Sequence, residues 1–312
     1  MTATLTILLP LFALIGLGWG ARRRGVLDAH AARVLNGFVV WLALPALLFG
    51  VMARSSWPAL WQPGFIATFG LSTAAVFLGV LAVRLRGGRG IADASVDAVA
   101  ASYSNTAYVG LPLCLLALGD GSQLPATIAT IIVVCVLFSV AVVLVEVGRT
   151  PGRVTARALL AVAGRTLRNP IVLPPIAGAL FSGLHLGLPE GVATLVRLLG
   201  QAATPCALVA LGLFLADRPA PRRAERHTPY LLAAAKLVVM PALAWWLANE
   251  VFHLSAPLAS CAVLLAALPT GTGPFMLAEF YQREAGVTST TTLVSTVASL
   301  LTLTVLLPHL TH

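Results

Sequence analysis

The chain has 312 residues, of which 58% are apolar and only 10% charged, with a formal net charge of +9. Mean hydropathy is +0.92 and the pI about 10.4. Soluble domains carry about 25% charged residues, so this composition excludes a soluble globular protein. It also leaves no nucleic-acid partner, because the arginines border apolar runs instead of forming a basic stripe.

In chain order the apolar runs are Thr4–Ala21, Ala32–Ala53, Gly64–Val83, Ser95–Leu118 and Pro125–Val147. After a basic stretch come Pro170–Leu186, Val192–Ala216, Tyr230–Asn249, Pro257–Tyr281 and Thr288–His309. A membrane helix needs about 20 residues, so ten spans use roughly 200 and leave short loops. Runs of this length exclude an outer-membrane barrel. The fold class predicted is an all-α polytopic membrane protein.

No basic region precedes Leu5–Gly20, and Arg22–Arg24 follow it, the reverse of a signal peptide. Cys114, Cys135, Cys206 and Cys261 fall singly in apolar runs without a Cys-x-x-Cys pair. That pattern argues for buried packing and against a metal or redox cofactor. Arginine outnumbers lysine 19 to 1 beside abundant alanine, which suggests a GC-rich bacterial genome.

Loop charge predicts orientation. With the N-terminus outside, 17 of the 20 basic residues lie in inner loops: Arg22–Arg24, Arg33, Arg84, Arg86, Arg89, Arg149, Arg153, Arg157, Arg165, Arg168, Arg218, Arg222, Arg223, Arg226 and Arg283. Only Arg54 and Arg197 fall outside, and Lys236 lies within a span. By the positive-inside rule both termini are periplasmic and the chain sits in a bacterial cytoplasmic (inner) membrane.

Two runs are broken at mid-length by small, polar and proline residues. The first reads Ser104-Asn105-Thr106-Ala107-Tyr108-Val109-Gly110-Leu111-Pro112, the second Leu268-Pro269-Thr270-Gly271-Thr272-Gly273-Pro274. In a bilayer each unpaired backbone group costs several kcal/mol unless protein, water or ligand satisfies it. Paired breaks in two halves point to the central site of a secondary transporter.

Proline spacing exposes the halves. Pro10, Pro45 and Pro112 are separated by 35 and 67 residues, and Pro170, Pro205 and Pro269 by 35 and 64. Five spans per half force the second to enter from the opposite side, an inverted repeat. The predicted organisation is a first repeat over 1–147, a cytoplasmic linker over 148–167 and a second repeat over 168–312.

At these residues the chain resembles the auxin efflux carrier family, which includes the plant PIN auxin transporters and bacterial permeases. Asn105-Thr106 with Gly110-Leu111-Pro112-Leu113 is similar to the family's fourth-span pattern, and Ala267 to Phe275, continued by Ala278 to Tyr281, to its ninth. Leu44-Pro45, Arg168-Asn169-Pro170 and Leu211 to Leu215 extend the resemblance over the whole chain. It implies fourth and ninth helices that break and cross at the membrane centre. Spans one, two, six and seven would form a scaffold, with the other spans as a moving unit in an elevator-type cycle. It also implies a small organic anion, above all a carboxylate, as substrate, and a homodimer. The plant carriers' long central loop is absent here, and Val133–Val134 stand where some plant relatives carry an amide.

Asn105 leads the candidate substrate contacts, since its amide offers two donors and an acceptor; the plainer role is to cap the following half-helix. Gly110, Pro112, Pro269, Gly271, Gly273 and Pro274 supply the breaks. Half-helix N-termini then turn partial positive charge toward an anion. Thr106, Thr270 and Thr272 add hydroxyls, and Tyr108 either lines the site or packs. Lys236, about 8 residues into its span, reads first as a side chain snorkelling toward the cytoplasm, with Glu279 as a candidate charge partner. Glu146 reads as interfacial.

No buried pair of acids favours a sodium/proton antiporter. A sodium-coupled symporter of the bile-acid type is the alternative, and a membrane sensor without transport a more distant one. An embedded enzyme would need a His-Glu-x-x-His helix or a Gly-x-Ser-x-Gly elbow, and neither occurs.

Overall fold

A computed structural model describes residues 2–54, 61–149, 170, 173–217, 221 and 225–310, in backbone only at 2–6, 149 and 279. The described residues form helices, plus one isolated antiparallel bridge, Ser104 to Thr270. In chain order the helices are α1 (Thr2–Arg23), α2 (Ala29–Ala53), α3 (Pro63–Arg86), α4 (Ile91–Ser102), α5 (Thr106–Leu118) and α6 (Asp120–Gly148). They continue with α7 (Leu173–Gly183), α8 (Glu190–Ala216), α9 (Thr228–Val251), α10 (Ala256–Ala266), α11 (Gly273–Phe280) and α12 (Ala285–Leu310). Six are long and apolar enough to cross a membrane: α2, α3, α6, α8, α9 and α12. The linker over 148–167 and the Arg168-Asn169 dipeptide lie almost wholly outside the described residues.

Proline shapes several helices in the same way. A proline has no N–H and its ring crowds the carbonyl four residues back, so the preceding turn must open. Accordingly, wide π turns occupy Val39–Ala43, Thr106–Gly110 and Ala235–Val239, each ending one residue ahead of Leu44-Pro45, Leu111-Pro112 or Met240-Pro241. In each the last N–H donates five residues back: Leu44 to Val39, Leu111 to Thr106, Met240 to Ala235. The wide turns at Ile132–Leu137 and Leu247–Val251 precede no proline, and nothing in the sequence explains them.

Helices α1, α2, α7 and α8 pack on one another as one group. The α1–α8 seam is closed by glycine: a Cβ on Gly18 would collide with the Val209 carbonyl, and one on Gly212 with that of Ile15. At one end of this seam Arg22 pairs with Asp217. The second group packs α3 on α4, α4 on α6, α9 on α10 and α12, and α10 back on α3. Elements from both ends of the sequence are therefore mixed in the second group, with α5 and α11 lying toward the first.

That second group is pinned at one end by ions. Arg84 of α3 donates to Asp97 of α4 at 2.7 Å and to Glu225, ahead of α9, at 2.7 Å. Arg89 reaches the same two carboxylates at 3.6 and 2.9 Å. Asp97 is buried, so loss of its partners would leave an uncompensated charge, worth about 3–5 kcal/mol. Glu225 sits outside the spans. Burial raises its pKa, but hydrogen bonds from Thr228 and Arg84 and the two arginine charges outweigh that and hold the carboxyl below its ordinary value.

Candidate functional site

The two interruptions meet. Helix α4 stops at Ser102 and α10 at Ala266, and the extended residues beyond them cross as the Ser104–Thr270 bridge. Asn105 N–H donates to the Pro269 carbonyl at 2.9 Å, and Gly271 N–H to the Tyr103 carbonyl at 3.0 Å. Glycine is required at this contact, since a Cβ on Gly273 would stand 2.6 Å from the Tyr103 ring.

Several of the freed backbone groups find partners within the fold. The Asn105 carbonyl accepts from Val109 and Gly110, starting α5. Thr270 N–H donates to Ser295 Oγ at 3.0 Å, and the Thr270 hydroxyl to the Ala100 carbonyl at 2.8 Å. Thr292 Oγ1 donates to the Gly271 carbonyl, and Gln123 Nε2 to that of Leu111. The Lys236 side chain, fully buried, donates from its Nζ to the carbonyl of Ala266, the last residue of α10. A helix ends with orphan carbonyls and a partial negative charge, so a cation is the natural cap there. This corrects the snorkelling reading, because Lys236 points inward at a helix end. The Glu279 side chain lies outside the described residues.

Two donors remain unused. Asn105 Nδ2 and Thr106 Oγ1 are buried and have no hydrogen-bond partner. The Asn105 side chain makes no capping bond, since its backbone does that work. A buried donor left unsatisfied costs about 1–3 kcal/mol. Both lie at the first turn of α5, and α11 also begins at the crossing, so two helix N-termini open toward this point.

Tyr108, in the same wide turn, donates to Asn36 Oδ1 at 2.6 Å and so joins the crossing to α2. It lines a 250 Å³ cavity with Arg33, Asn36, Phe214, Asp217 and Thr272. A second cavity, of 280 Å³, lies against Leu111 and Pro112 and reaches Arg54, Arg197 and Gln201. Both are walled by α2 and α8, at opposite ends. The α8 residues of the two cavities are separated by Thr204 to Ala210, roughly 9 Å of helix at 1.5 Å per residue.

The crossing thus brings together Asn105, Thr106, Thr270, Gly271 and Pro269, while Tyr108 and Thr272 face one cavity and Pro112 the other. Gly110 packs under Leu268, whose side chain a Cβ there would meet at 2.8 Å. Thr270 spends its hydroxyl on Ala100, so its donor is committed to the fold. Sequence reasoning missed Asp97 and Glu225, whose arginines read only as loop charges. It also missed that Cys261 donates to the Ser122 carbonyl, 139 residues away in sequence, at 3.9 Å. Glu146, read as interfacial, accepts from the Tyr281 hydroxyl at 2.7 Å.

Comparison with known proteins fits this architecture. The family described as "Membrane transport protein" matches residues 3–307. A Rhizobium meliloti (strain 1021) protein named "Putative malonate transporter" is 34% identical over 303 residues, covering 96% of this chain and 94% of that protein. "Auxin efflux carrier component 8" of Arabidopsis thaliana is 29% identical over 150 residues, 47% of this chain and 41% of its own length. The chain belongs to the membrane transport protein family that includes the auxin efflux carriers, and is a multi-pass membrane transporter, not an enzyme.

Proposed function

We propose that this protein moves a small organic anion, a carboxylate, across a bacterial cytoplasmic membrane by alternating access. The observation that carries the reading is the pair of unused buried donors, Asn105 Nδ2 and Thr106 Oγ1, at the crossing of two interrupted helices. Donors kept away from water and beside helix N-termini suit an anion with acceptor oxygens. The relative named for malonate supports a carboxylate as the ligand.

In this reading residues 1–147 and 168–312 are inverted five-span halves joined by 148–167. Each interrupted pair, α4 with α5 and α10 with α11, counts as one span, giving ten. The α1/α2/α7/α8 group stays fixed and carries the dimer contact. The other group, held rigid by the Arg84–Asp97–Glu225 ions, slides against it as an elevator. The two cavities are the approaches from either side, and Tyr108 closes one by its bond to Asn36. Pro112, Pro269, Gly271, Thr272, Gly273 and Pro274 shape the substrate path.

The test is uptake of labelled malonate and a panel of carboxylates into proteoliposomes, with ion gradients and membrane potential clamped. Saturable carboxylate uptake that Asn105→Ala weakens is expected. Uptake of none of the panel by protein that is folded and oriented would overturn the reading, and strict dependence on a sodium gradient would add sodium coupling to it.

A further inference from the structure

The two cavities along α2 and α8 differ in charge. The one beside Tyr108 holds both signs, Arg33 and Asp217, and Asp217 is already paired with Arg22. The one beside Pro112 holds Arg54 and Arg197 and no acidic residue. Among the described residues neither of these guanidinium groups has an ion-pair partner. The two arginines share one seam. Arg54 folds back over Gly50, where a Cβ would lie 3.6 Å from its Nη2 and 3.1 Å from Val196, the neighbour of Arg197. Gln201 and Thr204 add polar groups to the same 280 Å³ space. They are also the only two arginines that the loop-charge distribution leaves on the outer side, where the positive-inside rule gives no reason to place them.

We infer that this cavity is an outer capture site for a small dicarboxylate, with Arg54 and Arg197 each taking one carboxylate before the anion passes Pro112 to the crossing. The inference rests on the proposed carboxylate transport and adds a substrate class, a dianion. Arginine suits the role because its fork of donors stays charged and matches a carboxylate bidentately. A cleft lined by one sign of charge also concentrates the opposite ion. A lipid phosphate presents similar chemistry, so the experiment separates the two sources.

Purified protein in zwitterionic nanodiscs is titrated with malonate and with acetate, by calorimetry and by thermal shift. The parent should bind malonate at least tenfold more tightly than acetate. Arg54→Gln and Arg197→Gln should each weaken malonate about tenfold and leave acetate nearly unchanged, while Arg54→Lys and Arg197→Lys recover part of the loss. In proteoliposomes the double glutamine variant should raise KM for malonate taken up from the outer side more than for malonate exported from the inner side. Both arginines are exposed, and unchanged ligand-free melting checks that the variants fold. If malonate binding survives both glutamine substitutions while the parent moves carboxylates, the capture site is wrong and the transport reading stands. If malonate binds through the arginines and no carboxylate is moved, the capture site stands and the transport reading falls. Stabilisation by phosphatidylglycerol nanodiscs, lost in the glutamine variants, with no malonate response, would make the arginines lipid anchors and overturn the inference.

Discussion

The Nζ of Lys236 ends on the carbonyl of Ala266, where the first half of the second interrupted helix stops. The Lys236 side chain is thereby committed to the C-terminus of α10, beside a crossing where α4 also ends and α5 and α11 begin. The consequence is electrostatic. Capping the negative end of α10 leaves one C-terminus without such a cap, that of α4, against the N-termini of α5 and α11 in the field at Asn105.

Lys236→Met removes a hydrogen bond from a charged donor, worth about 1.5–3 kcal/mol, and leaves a buried carbonyl unpaired. Melting of the purified protein should fall by several degrees, and Lys236→Arg should not restore it, because the larger guanidinium does not fit a fully buried site. Adding Glu279→Gln decides the charge pair read from the sequence. Recovery in the double variant would assign a carboxylate partner to Lys236, and additive loss would leave Ala266 as the group that matters.

Glu225 gives a pH prediction. Its pKa is held below the ordinary 4.5, so its contribution to stability is complete above that value and is lost as pH falls through the lower, folded one. Melting of Glu225→Gln should lie below the parent at neutral pH, with the gap closing in acid. A gap that stays constant from neutral pH to well below 4 would mean that the Arg84 and Arg89 pairs contribute nothing through this carboxylate.

Asp97 and Glu225 also mark where sequence reasoning reached and where it stopped. The breaks were legible because proline and glycine punctuate an otherwise continuous apolar run, whereas the wide turns ahead of Pro45, Pro112 and Pro241 were seen only in the fold. The limits of the apolar run Pro257–Tyr281 also agree with the helices, since α10 and α11 together run from Ala256 to Phe280. Contacts between distant segments left no such trace. Nothing near Lys236 signals a backbone carbonyl 30 residues away as its acceptor. Arg84 and Arg89 look like any loop arginines until folding brings Asp97 and Glu225 against them. The family resemblance implies that the two broken helices cross, but which residues pair there, Ser104 with Thr270, needed the fold.

The loop charges predict an orientation that reporters test. A reporter fused after His312 should read periplasmic, and one inserted near Arg157 cytoplasmic, since most basic residues then lie inside. The opposite result at either point would remove the ten-span, inverted-repeat reading, along with the outer placement of Arg54 and Arg197.

Asn105→Ala separates site from scaffold. The backbone of Asn105 does the structural work: its N–H donates to Pro269, and its carbonyl accepts from Val109 and Gly110. Alanine keeps all three bonds, and it removes an amide that the fold does not use. Expression and melting should therefore hold or rise slightly. Carboxylate affinity should fall about tenfold or more, since a hydrogen bond to a charged group contributes about 1.5–3 kcal/mol and each 1.4 kcal/mol is a factor of ten. Pro269→Ala should act in the opposite sense. It leaves the amide in place but restores an N–H to the break, so α10 can extend toward α11 and pull on the Ser104–Thr270 bridge. Its affinity should hold while turnover slows. Equal affinity and equal transport in Asn105→Ala and the parent would place the carboxylate elsewhere, and the unused donors would then be a cost that the fold carries without return.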